Sequence, residues 1–98
     1  MSTEQSEKAL GNWQVYMILC SDRSIYTGIT TDIARRFSQH ATGRGAKYFR
    51  GRTPDALVYL EGGHDRSTAS QREAMIKKMS VKAKQQLINA HQIPDGAL

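Results

Sequence analysis

Five side chains of this sequence have the types and spacing of a hydrolytic site. They are two tyrosines on either side of a short turn, an arginine and a histidine one helical turn apart, and a solitary glutamate: Tyr16, Tyr26, Arg36, His40 and Glu73. A hydroxyl, a guanidinium, an imidazole and one carboxylate are sufficient to activate water against a phosphodiester with a single divalent metal. The set therefore predicts phosphodiester hydrolysis.

The two tyrosines act together only if the turn between them has the right length. Tyr26 and Gly28 point to the same face of their strand, and a glycine beside a tyrosine leaves room for another group to approach the hydroxyl. Read alone, Gly28 would mark no more than a bulge. Tyr16 shares the face of Tyr26 if the hairpin pairs even-numbered residues with even-numbered ones, which requires an odd-numbered loop or a bulge.

Arg36 and His40 are neighbours on a predicted helix because they are four residues apart. A guanidinium binds phosphate bidentately, and a histidine with its reference pKa of ~6.5 exchanges protons near neutrality. For His40 by itself, a place on the flank of an ordinary amphipathic helix is the commoner outcome. The two residues together favour phosphate binding next to proton transfer.

Glu73 is the only acidic residue between Arg66 and Lys84. Helical spacing sets it beside Ala69 and Ile76, at the border of the apolar stripe. A glutamate there is either a salt-bridge partner of a nearby base or a metal ligand. A single carboxylate is compatible with Mg²⁺, which takes one or two and keeps its waters and phosphate oxygens.

A glycine-bearing segment, residues 43–53, contains no acidic residue and is predicted to be a mobile loop. Its candidate nucleic-acid-binding residues combine cations with an aromatic ring: Arg44, Lys47, Tyr48, Arg50 and Arg52. Such a mixture can hold a nucleic-acid backbone by charge and a base by stacking. Packing of Tyr48 and Phe49 over the sheet is an equally open interpretation.

Composition limits the kind of protein this is. The sequence has 98 residues, 14 lysines and arginines against nine aspartates and glutamates, and 39% apolar residues. It is long enough for one domain, and its basic charge favours a polyanionic partner. Cys20 is the only cysteine, so an internal disulfide is excluded, and the scattered histidines lack zinc-ligand spacing. With no segment resembling a signal peptide or membrane span, we expect a cytoplasmic protein without membrane contact.

The predicted elements form one domain over residues 13–91, between a disordered leader (1–12) and a flexible tail (92–98). The predicted strands are at 15–20, 25–29 and 56–61. The predicted helices are at 32–41, from Ser67 to Met79, and from Ser80 to Ala90. Thr30, Thr31 or Asp32 would cap the first helix, Ser67 the second and Ser80 the third. The order ββαβαα predicts an α+β fold, with a small, mainly antiparallel three-stranded sheet flanked by about three helices.

Taken in order, these residues resemble the GIY-YIG nuclease superfamily, whose members share a small α/β module that cuts DNA with one divalent metal. The first family motif falls on Gln14-Val15-Tyr16 and the second on Tyr26-Thr27-Gly28. Both tyrosines and the final glycine are kept, whereas glutamine replaces the first glycine. The match extends from about residue 13 to 87 and is similar to the short stand-alone bacterial branch.

The resemblance also implies a role for each remaining residue. Glu73 would hold Mg²⁺ (or Mn²⁺), and Arg36 would stabilise charge on the phosphoryl group. Tyr16 would position the water, with Tyr26 beside it and His40 close by. A tyrosine with a pKa of ~10 is about one part in a thousand ionised at pH 7, so the family pattern favours a tyrosine as general base while the pKa argument favours His40. Both remain open.

Our first hypothesis is therefore a Mg²⁺-dependent DNA endonuclease, structure-selective or weakly specific, in DNA repair or processing. DNA is the expected partner, and RNA is not excluded. A protein partner would direct the enzyme to its target, and the chain would be a monomer or weak dimer. The alternative is a nucleic-acid-binding module with a weak or idle nuclease site. A third hypothesis, a protein adaptor, requires an exposed apolar face on residues 81–90.

Overall fold

The protein is built on a three-stranded antiparallel sheet in the order β2-β1-β3. In the computed structural model, which describes residues 11–91 and 93, the strands are β1 (Trp13–Cys20), β2 (Ile25–Thr30) and β3 (Pro54–His64). The helices are α1 (Ile33–Ala41), α2 (Arg66–Lys77) and α3 (Val81–Asn89), with a short 3₁₀ helix at Lys47–Arg50. The predicted order ββαβαα and the α+β class are confirmed. The predicted leader and tail lie outside the described residues, apart from positions 11, 12 and 93.

The hairpin of β1 and β2 has the register that puts both tyrosines on one face. Tyr16 pairs with Gly28 and Ile18 with Tyr26, so even-numbered residues face even-numbered ones. A loop of three residues produces this parity, closed by the Cys20 amide donating to the Ser24 carbonyl at 2.9 Å. The last loop residue, Arg23, has a φ of 72°, as expected for a three-residue hairpin loop. The odd-numbered loop required for a shared tyrosine face is confirmed.

The central strand β1 is buried on both faces, which explains its unbroken apolar sequence. Its even-numbered face packs under α1 and the 3₁₀ helix, in a cluster with Tyr16, Ile18, Cys20, Ile33 and Phe49. Its odd-numbered face packs under α2, in a second cluster with Val15, Met17, Tyr59, Ala69 and Ile76. Burial of one such side chain stabilises the fold by about 1.5–3 kcal/mol. The sheet therefore separates two half-cores, one under α1 and one under α2.

The helix starts follow local capping chemistry, with one departure from expectation. Asp32 caps α1 and Ser80 caps α3, each accepting a backbone N–H at 3.1 Å, as predicted. The prediction that Ser67 caps α2 is wrong. Asp65 is the cap, and it forms a reciprocal capping box with Thr68. Strand β3 continues to His64 instead of ending at residue 61, and the helix follows it without a loop. The cap therefore lies two residues earlier than predicted.

The segment 43–53 is more structured than the expected loop. Its middle forms the 3₁₀ helix, and Phe49 is only 3% exposed in the half-core under α1. The interpretation in which Phe49 packs over the sheet is therefore confirmed. The exposed apolar face on residues 81–90 that the adaptor hypothesis requires is largely absent, because Leu87 and Ile88 pack against the half-core under α2 and, on α3, only Val81 is strongly exposed. No helix in the described part of the chain is long and apolar enough to span a membrane.

Candidate active site

A buried pair of polar side chains, Tyr16 and His40, forms the centre of the site. The Tyr16 hydroxyl and His40 Nε2 are 2.8 Å apart, and the two residues are 0% and 1% exposed. The His40 ring stacks on Phe49 with centroids 4.2 Å apart, and the Tyr26 ring meets it edge-on at 5.2 Å. Strand β1, helix α1 and the 3₁₀ helix thus enclose one imidazole. Three of the five predicted catalytic residues, Tyr16, Tyr26 and His40, contact one another here.

Two glycines make room for this pair. Gly28 lies under the Tyr16 phenol, where an added Cβ would be 2.6 Å from the hydroxyl oxygen. Gly45 lies against the His40 ring, where a Cβ would be 2.0 Å from Nδ1. Real Cβ atoms do not approach other atoms so closely, so a larger residue at either position must displace a site side chain. The predicted space beside Gly28 is present and is filled by Tyr16.

Burial sets the protonation of the pair. Desolvation raises the pKa of the Tyr16 hydroxyl well above its usual range, the Tyr26 hydroxyl raises it further, and Arg36 opposes both. Desolvation lowers the pKa of His40 to about 4, and the positive charge of Arg36 adds to that effect. Both groups are therefore neutral at pH 7. Among the described residues, His40 Nδ1 has no hydrogen-bond partner.

Arg36 is held at the edge of this cluster. It is half-buried on α1, and its Nη1 donates to Gln39 Oε1 at 3.0 Å. It lies one helical turn before His40 on α1, and its positive charge acts to lower the pKa of both Tyr16 and His40, although burial raises the pKa of Tyr16 overall. An always-charged, pre-oriented guanidinium is suited to a phosphate group.

The two tyrosines differ in their access to solvent. Tyr16 is fully buried, whereas Tyr26 is only partly buried. The resemblance assigned water positioning to Tyr16 with Tyr26 at its side. The observed burial favours the reverse arrangement, in which Tyr26 is accessible and Tyr16 lies behind it.

Glu73 is carried by a different helix from Arg36 and His40. It belongs to α2, which packs on the opposite face of the sheet, and it forms an ion pair with Lys77 at 3.2 Å. Between residues 11 and 91, no hydrogen bond or ion pair joins Glu73 to the tyrosines, Arg36 or His40. β2 is one of the two edge strands of the sheet, and α2 packs against it and against β1.

Helix α2 is fixed to β3 by a second polar network, which determines where Glu73 lies. Arg72 Nε donates to Glu61 at 3.1 Å, His64 Nε2 lies 2.6 Å from the same carboxylate, and the Tyr59 hydroxyl also donates to it. Burial works against the ionised form of Glu61, but these hydrogen bonds and the charge of Arg72 lower its pKa overall. The network holds the residue preceding Glu73, and so restricts the position of its carboxylate.

A metal ion would find a single carboxylate here. No group of three or more His, Cys, Asp or Glu side chains suited to a metal occurs in the described part of the chain. Mg²⁺ accepts one or two protein carboxylates when phosphate oxygens and water complete its coordination. The Glu73 side chain is 23% exposed and its partner Lys77 is 53% exposed, so the pair can be opened. The donor set therefore fits a metal bound together with phosphate.

The candidate nucleic-acid-binding residues fall into two groups. Arg44, Lys47 and Arg50 are exposed on the loop around the 3₁₀ helix. Arg52 instead pairs with Asp22 of the hairpin loop and stacks on the Tyr48 ring at 4.1 Å. The first group remains available to a ligand, whereas Arg52 and Tyr48 already have structural contacts.

Three contributors to the site were not identified from the sequence. Gly45 packs against the imidazole, Phe49 stacks on it, and Gln39 orients Arg36. Gln39 lies three residues after Arg36 on the same helix, a spacing that could have indicated the contact. Gly45 and Phe49 carry no comparable signal, because their contacts with His40 depend on how the loop folds back.

Comparisons with known proteins agree with this fold. The chain matches the model of the GIY-YIG catalytic domain over residues 12–86. It is 49% identical over 79 residues to the UPF0213 protein of Desulfotalea psychrophila, covering 80% of this chain and 72% of that protein. It is 53% identical over 73 residues to the UPF0213 protein of Haloquadratum walsbyi, covering 74% and 82%. A solution NMR structure of the UPF0213 protein of Bacillus halodurans superposes with a TM-score of 0.54 at 40% identity, covering 87% of this chain and 90% of that one.

Proposed function

Because this chain belongs to the GIY-YIG family, we propose that it is a divalent-metal-dependent endonuclease that hydrolyses phosphodiester bonds in DNA. Membership supports a nuclease-type function acting on nucleic acid, and nucleases of this family generally use divalent metal ions. The observation that carries the proposal for this chain is the buried Tyr16–His40 hydrogen bond beside Arg36. The pair satisfies the Tyr16 hydroxyl and His40 Nε2, but His40 Nδ1 is buried without a hydrogen-bond partner among the described residues, which costs free energy. A perturbed, incompletely satisfied histidine beside a tyrosine and an arginine supports a role in proton transfer.

The proton path begins at the accessible tyrosine. Tyr26 contacts the attacking water, and the Tyr16 hydroxyl lies close behind it. In the tautomer with its proton on Nδ1, His40 accepts the Tyr16 O–H at Nε2. As the new P–O bond forms and the bond to the leaving oxygen breaks, one proton passes from water towards this chain of three groups. A proton relay of this kind contributes about 10²–10⁴ in rate.

Arg36 binds the phosphate whose P–O bond is cut. Its guanidinium is oriented by Gln39, so little reorganisation is needed as charge develops on the phosphoryl oxygens. The bound phosphate also brings negative charge next to His40. That charge opposes the desolvation that keeps the pKa of His40 near 4, so the imidazole becomes a better proton acceptor when substrate is present.

Glu73 is the residue that would hold the metal, after release from Lys77. When bound, the ion would polarise the phosphate and stabilise the leaving oxygen. Since the chain offers one carboxylate, phosphate and protein bind the ion jointly, and metal affinity without DNA should be weak.

The exposed cations Arg44, Lys47 and Arg50 would hold the nucleic-acid backbone. Backbone contacts of this type carry no sequence information, which supports structure-selective or weakly specific cutting. We further propose that this cutting serves DNA repair or processing and that the protein acts as a monomer or weak dimer. The Glu73–Lys77 ion pair favours a second candidate function, a nucleic-acid-binding module whose nuclease site is weak or idle.

Cleavage of labelled single-stranded, duplex and branched DNA, with Mg²⁺, Mn²⁺ or EDTA, tests the two functions. The nuclease predicts metal-dependent products that Glu73→Gln abolishes and Tyr26→Phe reduces by about 10²-fold or more. Asp55→Asn is a matched control, because Asp55 is an exposed carboxylate outside the site. Binding without cleavage by the wild type, unchanged in Glu73→Gln, would favour the binding module instead.

A further inference from the structure

A cleft of about 300 Å³ opens beside Arg36, where β2 leads into α1. Trp13 and Ile29 form one wall, and Arg35 and Arg36 of α1 form the other. Arg36 therefore belongs both to the cleft and to the candidate active site. A group bound in the cleft would be the immediate neighbour of the phosphate that Arg36 holds.

The cleft has a net positive charge, because its lining contains two arginines, Arg35 and Arg36, and one aspartate, Asp32. Asp32 also lines it, but its carboxylate accepts the Arg35 backbone N–H at 3.1 Å and caps the helix. Within residues 11–91 and position 93, neither Arg35 nor Arg36 forms an ion pair with a carboxylate. Two adjacent guanidinium groups without acidic partners are suited to an anionic ligand, and to phosphate in particular.

The opposite wall is suited to a flat ring. Trp13 packs partly against the half-core under α2 and also lines the cleft. The Arg66 guanidinium lies over the Trp13 ring, 5.7 Å from its centroid, so a base that stacks on this face must displace it, and the displaced cation stays close enough to meet a phosphate. Aromatic rings combined with cations are the recurrent means by which proteins hold unpaired bases, since every base has a face to stack.

The geometry points to a nucleotide subsite in which Trp13 stacks on an unpaired base and Arg35 binds its phosphate, next to the bond that is cut. This inference rests on the proposed nuclease function and names its substrate class. A volume of about 300 Å³ is at the lower end for ligand clefts, so it suits one nucleotide and not a duplex. A base can enter the cleft only after it has left the base stack of the DNA. The free energy needed for this is lowest when the base is already unpaired. The preferred substrate is DNA with a single-stranded nucleotide at the cut.

Trp13 is the only tryptophan in the sequence, so its fluorescence reports on this subsite directly. The probe is a DNA oligonucleotide of about ten nucleotides, added in EDTA so that no cleavage occurs. We expect saturable quenching by the single strand and at least about tenfold weaker binding of the same strand annealed to its complement, at equal ionic strength.

Arg35→Ala is the first variant, because Arg35 is exposed and its loss leaves the core intact. It should weaken single-strand binding about tenfold, whereas Lys82→Ala, which removes an exposed cation on α3, should change it less than about twofold. The Trp13 variants lack the fluorescent residue, so their binding is measured by the fluorescence anisotropy of a dye-labelled oligonucleotide, with wild type in the same assay. Trp13→Leu, with its folding checked by thermal unfolding, should weaken single-strand binding by roughly 5- to 150-fold, and Trp13→Phe should retain most of it.

The subsite and the nuclease can fail separately. Quenching without metal-dependent cleavage would support the nucleotide subsite and overturn the nuclease. Metal-dependent cleavage with no quenching, or with equal affinity for single strand and duplex, would overturn the subsite and leave the nuclease in place. Equal effects of Arg35→Ala and Lys82→Ala would also overturn it, because binding would then depend on overall charge.

Discussion

Substituting Gly45 by alanine should damage the site from a position that touches neither substrate nor metal. The new Cβ would be 2.0 Å from His40 Nδ1, 2.7 Å from Cε1 and 3.1 Å from Cγ. The imidazole cannot retreat easily, because Phe49 stacks on its ring at 4.2 Å and Tyr16 binds Nε2. Either the loop around Gly45 or the imidazole must move.

The magnitude follows from comparison with Gly51→Ala. Gly51 has a φ of −119°, and a Cβ there would meet nothing within 4 Å. Both substitutions stiffen the unfolded chain equally, so their difference isolates the overlap, about 1–3 kcal/mol, and the strained Tyr16–His40 hydrogen bond, about 0.5–1.5 kcal/mol. We expect Gly45→Ala to be less stable than Gly51→Ala by about 2–4 kcal/mol.

Urea unfolding followed by Trp13 fluorescence measures this difference, which corresponds to a midpoint lower by roughly 1–3 M. Cleavage should fall about 10²-fold in Gly45→Ala and remain unchanged in Gly51→Ala. NMR titration of His40 should show its pKa moving from about 4 towards 6.5 as the ring is displaced. If Gly45→Ala matched Gly51→Ala in midpoint and cleavage, the described packing of the loop against the imidazole would be wrong.

Three further predictions concern protonation, metal and space. Folding lowers the pKa of His40 to about 4, so the unfolded chain binds more protons than the folded one below about pH 6.5. As the pH falls from 6.5 to 4, the free energy of unfolding of the wild type should therefore decrease by up to ~3 kcal/mol relative to that of His40→Gln. A difference in urea unfolding that does not change with pH would contradict this. Lys77→Ala, which releases Glu73, should lower the Mg²⁺ concentration for half-maximal cleavage by about 2–5-fold; an unchanged Mg²⁺ titration would show that the ion pair does not compete. Gly28→Ala puts a Cβ 2.6 Å from the Tyr16 hydroxyl and should reduce kcat about 10²-fold. Gly62→Ala should leave kcat unchanged, because a Cβ at that position meets no atom within 4 Å. Equal rates in the two variants would contradict the described contact between Gly28 and Tyr16.

Much of the fold was predictable because its signals are local. The caps at Asp32 and Ser80 depend on side chains that reach backbone groups three residues away, and both were predicted. The start of α2 was missed because the length of β3 is set by pairing with β1, so the chain reaches the helix already at Asp65. The 3₁₀ helix was missed because Phe49 orders that segment through contacts with distant residues.

The sequence by itself determined which residue types are available for catalysis and their order along the chain. It also determined that Arg36 and His40 are neighbours, because helical spacing is local. Whether Tyr16 and Tyr26 share a face could only be stated as a condition on the hairpin, and the three-residue loop met it.

Only the tertiary structure decided which groups are buried and what surrounds them. Tyr16 became the inner and Tyr26 the accessible tyrosine, and Gly45 came to lie against His40, because α1 and the 3₁₀ helix close over one face of the sheet. Glu73 comes from α2, which covers the other face of the sheet. Burial, pKa and contact depend on groups far apart in the chain, whose meeting no local pattern encodes.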